Sequence, residues 1–428
     1  MYFNLHDTAM NDLVALLRTL PLEVFETPKP DDAWDRSPLT MISDAVLIQS
    51  VAAAIARPKA QASSSFLLHA PLELLARAWL LPYVSADKRD DARRRIGEIA
   101  GRYAGEGAEI EALPSDHATV DSALVELLGA LRAGDVDAVD GALLFLLPRV
   151  SPERLRAAVA EEIIPALGAA GHAPILLMAL SGAVRYGCAS VCALLRAPLR
   201  TVALEADWRL TWMDSVDSSA VNREASLFES LVAPPAIKMK SLAIAPTMLA
   251  VERDDYAAHL LAGATSTMSV RQAERTLLSV AALSMLQDDP EHAPYGWSHC
   301  LTLPQAILAL SDVVSDQTRL VRIAATHVLG FRATLGKVRL EEPYSPASRP
   351  TKIVLQGDPT DVATHVFCAP PEQHKALGNE LAARAAVHAD AHLAKYTMAC
   401  LLAAARDPDI APLYLAAASY LGAWWDCH

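Results

Sequence analysis

The chain has 428 residues, of which 52% are apolar and 20% charged, and it carries a net charge of -13 at neutral pH. That composition is globular and too hydrophobic for disorder, and the length can bury one large helical core or two smaller ones. The negative balance removes nucleic acid and anionic membrane surfaces as partners, because neither is steered towards an acidic protein.

The first residues, "MYFNLHDTAMNDLVALLRTL", carry an acid early and no basic leader before an apolar core, so they do not read as a signal peptide. "DDARRRIGEIAGRYAG" (90–105) predicts a helix. "DSALVELLGALRAG" (121–134) predicts an amphipathic helix, with Leu124, Leu127, Leu128 and Leu131 at i, i+3, i+4 and i+7, ending at Gly134. "SPERLRAAVAEEIIPALGAAG" (151–171) opens with Ser151 as N-cap and Pro152 at the first helical position. "HAPILLMALSGAVRYG" (172–187) is the most apolar stretch, but Pro174 and Arg185 interrupt it and it is too short to span a bilayer.

Further along, "RTVALEADWRLTWM" (200–213) and "TKIVLQG" (351–357) are the strand candidates, whereas "SVRQAERTLLSVAALSML" (269–286) predicts a helix. "RLEEPYSPASRPTK" (339–352), inside the wider segment 337–356, predicts a loop or short hairpin insertion. "GNELAARAAVHADAHLAKYTMACLLAAARD" (378–407) reads as one long helix. The expected fold is mostly α, a single large helical domain over 1–428 with a metal site among facing helices. Six scattered cysteines with no CxxC pair read as reduced thiols of a cytoplasmic protein, and Cys188 and Cys192 share a helix face suited to core packing.

No GxGxxG follows a strand, and neither GxxxxGK[ST], GxSxG nor HExxH occurs. The chemistry-bearing residues left are histidines in apolar helical text: His69, His172, His299, His327 and the pair His388 and His392. In "HADAHLAK" (388–395) helical spacing puts His388, His392 and Lys395 on one face. A single such histidine is more often a hydrogen-bonded core residue than a ligand. Several on separate helices fit a bundle that holds a metal by inward-pointing side chains, with His388 and His392 as the default i, i+4 pair.

Four of these blocks, in order, resemble the questin oxidase-like family of natural-product oxygenases. "HAPLELLARAWLLPYVSAD" is similar to a family helix of "HHLLxxYALGAS" type, and "HAPILLMALSGAVRYG" to "HPLIHLGYAYEL". "SHCLTLPQAILAL" resembles "MHxLTSSxxxPxxL", and "HADAHLAKYTMACLL" resembles "HxDEHVxKxxRAL"; these last two are the most specific. The resemblance implies a metal held by His69, His172, His299 and His392, with Lys395 as a fifth ligand after carboxylation by CO2. A neutral amine captures CO2 to give a carbamate, an oxygen donor, and apolar surroundings beside a divalent ion favour that uncharged amine.

The chain departs from the family pattern at Glu73, at Leu176 and at Ala391, where the family has histidine, histidine and an acid. Lys395, Glu73 and Tyr396 are the candidates for catalytic roles. Arg185, Tyr186, Trp297 and Tyr396 are candidates to line an aromatic pocket, and His327 and His388 to support the ligands from outside. The resemblance implies an O2-dependent non-heme Fe(II) oxygenase of an aromatic polyketide or similar metabolite, either a monooxygenase of Baeyer-Villiger type with NADPH as co-substrate or a ring-cleaving dioxygenase. The rival expectations are a zinc or manganese hydrolase or lyase, and a helical scaffold without catalysis.

Overall fold

The computed structural model describes residues 42–60, 65–186, 188–215, 226–239, 243–346 and 353–428, so residues 1–20, which did not read as a signal peptide, lie outside the described residues. Helix starts follow the local chemistry of the sequence. Ser151 caps Pro152–Ile163 by accepting from the Arg154 amide at 3.2 Å. At Val270–Gln287, Ser269 and Gln272 exchange bonds as a capping box. Val120–Ala133 begins at a second box, Thr119 with Ser122, and ends at Gly134, whose φ of 75° suits a residue without Cβ.

Among the described residues, the helices of nine or more residues are α1 (Asp44–Ile55), α2 (Ser65–Leu80), α3 (Ala86–Ala104), α4 (Val120–Ala133), α5 (Val136–Leu146), α6 (Pro152–Ile163), α7 (His172–Ala183), α8 (Arg196–Leu204), α9 (Ile244–Glu252), α10 (Tyr256–Thr265), α11 (Val270–Gln287), α12 (Ser298–Leu308), α13 (Gln317–Leu335), α14 (Pro359–Phe367), α15 (His374–Val387), α16 (Ala391–Arg406) and α17 (Ala411–Cys427). They form one compact domain that is 75% helical and, in its described residues, has no strand. No described helix is long and apolar enough to cross a membrane.

Both strand candidates are therefore corrected. Residues 200–204 belong to α8, where Leu199, Val202 and Ala203 are buried at helical spacing, so the packing period is three to four rather than two. Only an isolated bridge between Ala166 and Arg209 survives beyond it. Of "TKIVLQG", residues 351–352 lie outside the described residues and 353–357 take no regular structure. The described parts of 337–356 are loop, without a hairpin, and do not separate the last helices from the rest. Leu340 donates to the Val232 carbonyl, and α16 and α17 pack on α2, α11 and α12.

The long helix expected over 378–407 is two helices. α15 stops at Val387, and His388 takes an extended conformation (φ -67°, ψ 150°). Asp390 then caps α16 by accepting from the His392 amide at 2.7 Å. An aspartate offers the backbone this alternative to a continuous helix, which periodicity does not register. Arg77 completes the break from α2, donating to the Ala386 carbonyl at 2.6 Å and the His388 carbonyl at 2.7 Å, with Glu73 paired to it at 2.5 Å. Arg77 is 1% exposed, so those carbonyls of the α15 end are satisfied inside the core.

Four helices set the site. α2 packs on α7 and α16, and α12 packs on the same two, which closes a ring α2–α7–α12–α16. Each contributes one histidine from its beginning: His69 on α2, His172 as the first residue of α7, His299 as the second of α12 and His392 as the second of α16.

Candidate metal centre

The four imidazoles meet as the corners of a square that follows the helix ring. Centroids of neighbours lie 4.7 Å apart for His69–His172, 5.1 Å for His172–His299, 5.3 Å for His299–His392 and 4.6 Å for His69–His392. The His69–His299 diagonal is 6.4 Å. Side-chain nitrogens of His69, His172 and His299 lie within 4.8 Å of one another. All four residues are buried. The four rings that the family resemblance marked are thus neighbours, but the close group of nitrogens comprises His69, His172 and His299, with the His392 ring beside it.

What holds the rings decides their tautomers. His172 Nδ1 is 2.9 Å from the Ala169 carbonyl, His299 Nδ1 is 2.5 Å from the Tyr295 carbonyl, and His392 Nδ1 is 3.0 Å from Asp390 Oδ1. These oxygens only accept, so each Nδ1 carries the proton and each Nε2 presents a lone pair. Burial pushes the His172 pKa down to about 3 and the His392 pKa down to about 4, and it holds His299 well below its ordinary value. The nearby Lys395 adds to each shift. The rings are neutral at physiological pH.

His172 Nε2 and His299 Nε2 face each other at 3.1 Å. With both nitrogens bare, two lone pairs oppose one another, an arrangement that is favourable only around a cation. Nitrogens at about 2.1 Å from a shared ion, at angles between square and tetrahedral, stand about 3.0–3.4 Å apart. The donor set therefore fits a divalent transition metal, and the Nδ1 partners are the outer contacts that such ligands ordinarily keep.

The backbone before two of these ligands is unusual. Ala169 and Ala170 have φ of 54° and 51°, in the left-handed region that costs alanine about 1–2 kcal/mol per residue. That turn delivers the Ala169 carbonyl to His172. A π-helical turn, Ala293–Trp297, precedes α12 and brings the Tyr295 carbonyl to His299. The Tyr295 ring, 55% exposed, stands edge-on to His392 at 4.8 Å and covers the cluster from solvent.

Lys395, one turn after His392, is 3% exposed, and among the described residues its Nζ has no hydrogen-bond partner. Burial pushes its pKa down to about 7, against the opposing pull of Asp390 and Glu73. A buried amine, uncharged for much of the time at neutral pH and close enough to depress three imidazoles, suits the fifth position that the resemblance implies. Glu73 is buried and bound to Arg77, so it pins the 386–388 turn rather than presenting a free carboxylate.

One expectation is not met. His388 and His392 do not share a helix face, because the chain breaks between them. His388 Nδ1 accepts from the Asp390 amide at 3.0 Å and its ring lies 5.6 Å from Trp425, so it shapes the turn that aims Asp390. Tyr396 is fully buried, and the groups around its hydroxyl are the thiols of Cys400 and Cys300. Trp297 is fully buried, donating to the Asp289 carbonyl at 3.0 Å under Arg332. Arg185 lies over Tyr186, whose hydroxyl donates to the Ala78 carbonyl at 3.1 Å. His327 is buried beside Gly171, just before His172. Leu176 is core, and Ala391 is the first residue of α16.

The sequence reading missed Asp390, Tyr295 and Arg77. A detectable signal existed for Asp390 alone: an aspartate two residues before a histidine at a helix start. No family model, curated protein or solved structure matches the chain.

Proposed function

We propose that the cluster holds Fe(II) and that the protein is an O2-dependent non-heme iron oxygenase acting on an aromatic polyketide or similar metabolite. The observation that carries the metal is the 3.1 Å approach of two bare Nε2 atoms within a ring of four buried imidazoles. Iron as the ion and oxygenation as the reaction come from the resemblance to the questin oxidase-like family, with NADPH as co-substrate if the outcome is monooxygenation. When bound, Fe(II) supplies the one-electron chemistry that O2 requires.

The chain's own residues divide the remaining work. Ala169, Tyr295 and Asp390 keep the protons of three histidines on Nδ1, so metal binding need not displace them. Burial of the four rings excludes water from the ligand shell. Lys395 loses its proton within the neutral range, and its free amine attacks CO2; a C–N bond forms, a second proton leaves nitrogen, and a carbamate oxygen becomes available as a donor. Glu73 and Arg77 hold the turn from which Asp390 orients His392.

A second reading keeps the metal and changes the reaction. His69, His172 and His299 form a three-imidazole group, which is also a donor set of zinc sites that activate water. Anaerobic loading of the purified chain with one equivalent of Fe(II), then exposure to O2 with a hydroxyanthraquinone, separates the two. Uptake of O2 with oxidation of the iron supports the oxygenase, and an Fe(II) site inert to O2 with every such compound would sink it.

A further inference from the structure

The ring helices also build a second concavity, away from the cluster. α2 and α16 run side by side in the same direction, from His69 and His392 at one end to Trp79 and Leu401 at the other, where both residues line one groove. Ten residues of helix place it about 15 Å from the imidazoles. The groove measures 510 Å³, within the range of small-molecule sites, and α15 and α17 supply its other walls.

Two glycines make its shape. Gly378 lies in the interior of α15, where glycine costs about 1 kcal/mol relative to alanine. A Cβ there would stand 3.3 Å from Leu401 Cδ2, across the groove floor. Gly182 lies near the end of α7, and a Cβ there would stand 3.2 Å from Trp79 Cδ1. The first leaves the floor open and the second leaves room for the indole, whose ring sits 5.1 Å from Tyr83. Leu415 and two prolines add apolar wall.

Charge at the groove runs against the rest of the molecule. In a chain with 50 acidic and 37 basic residues, no acidic side chain among the described residues lines it. Lys375 does line it, exposed and without an ion pair among the described residues. Aromatic and aliphatic walls with one ammonium at the rim complement a flat apolar body bearing one negative group.

We propose that this groove is a binding site for a planar aromatic anion of two or three fused rings, a carboxylate or phenolate, stacked on Trp79 and Tyr83 with its charge at Lys375. The site is separate from the histidine cluster and does not depend on metal. Calorimetric titration of the full chain with 2-naphthoate tests it. One saturable site below about 1 mM is expected. Uncharged 2-naphthamide should bind about two- to fivefold more weakly, and Lys375→Glu, which replaces attraction by repulsion, should weaken 2-naphthoate by about fivefold or more. Gly378→Leu should abolish binding by filling the floor, whereas His299→Ala should leave it unchanged. Lys375 is at the surface, so that variant reads the site even if the glycine variant misfolds. No saturable binding, equal binding by Lys375→Glu, or loss of binding in His299→Ala would each overturn the proposal; the last would place the anion at the cluster.

Discussion

Asp390 does two jobs with one oxygen, and substitution separates them. Oδ1 accepts from the His392 amide at 2.7 Å as the cap of α16, and from His392 Nδ1 at 3.0 Å as the outer partner of a candidate ligand. Asp390→Ala removes both. Loss of the cap costs about 0.5–2 kcal/mol of stability. Loss of an outer partner costs about 10–100-fold in metal affinity, roughly 1.4–2.7 kcal/mol. Asp390→Asn keeps a good cap and an accepting carbonyl but loses the charge, so its stability should stay close to the parent's and its affinity should fall less than in the alanine variant. Denaturant unfolding of the metal-free protein reads the first quantity, and Co(II) titration against a competing chelator reads the second. Parental Co(II) affinity in Asp390→Ala, or an asparagine variant as unstable as the alanine one, would refute this division of labour.

His392→Ala and His299→Ala should each abolish stoichiometric metal binding by elemental analysis, while His374→Ala, at the start of α15 and remote from the cluster, should keep it; metal retained without His392 contradicts the assignment. Lys395→Ala should lose turnover while keeping most of the metal, with partial recovery in added bicarbonate or a small carboxylate; full turnover without Lys395 removes the carbamate from the scheme. Arg77→Met should destabilise by about 3–5 kcal/mol in denaturant unfolding, because it strands buried Glu73 and the α15 carbonyls; a loss under about 1 kcal/mol would show that the pair is not anchoring the turn. The metal-free protein should also lose stability as pH falls. His172, His392 and His327, at about 3, 4 and 4 when folded, bind protons more readily when unfolded, so their contribution is complete above about 6.5 and is lost on descending towards 4. Lys395, at about 7 folded, acts in the same sense between about 7 and 10.4. The melting temperature of the metal-free protein should therefore rise from pH 5 to pH 9, and a flat or falling profile would show that these groups are not buried as described.

Helical class, the cap at Ser151 and the stop at Gly134 were legible in the text, because each depends on residues within one or two turns of itself. The six histidines in apolar helical text were legible too, but helical spacing favoured His388 with His392, and the set His69, His172, His299 and His392 is what the family resemblance implies. The strand reading of 200–213 failed for the complementary reason: β-branched and aromatic residues there signalled propensity, while burial of Leu199, Val202 and Ala203 followed a helical period set by neighbours distant in sequence. The long helix over 378–407 failed because Arg77, some three hundred residues away, satisfies the carbonyls that a break leaves open.

By itself, then, the sequence determined a helical protein with a few imidazoles and one amine placed where water would be scarce. Only the tertiary structure decided that four of those rings share one centre, that Asp390 rather than His388 serves His392, and that Tyr396 turns to the thiols. The reason is physical: a helix is a local property of a dozen residues, whereas the 3.1 Å between His172 and His299 Nε2 is fixed by the mutual packing of four helices.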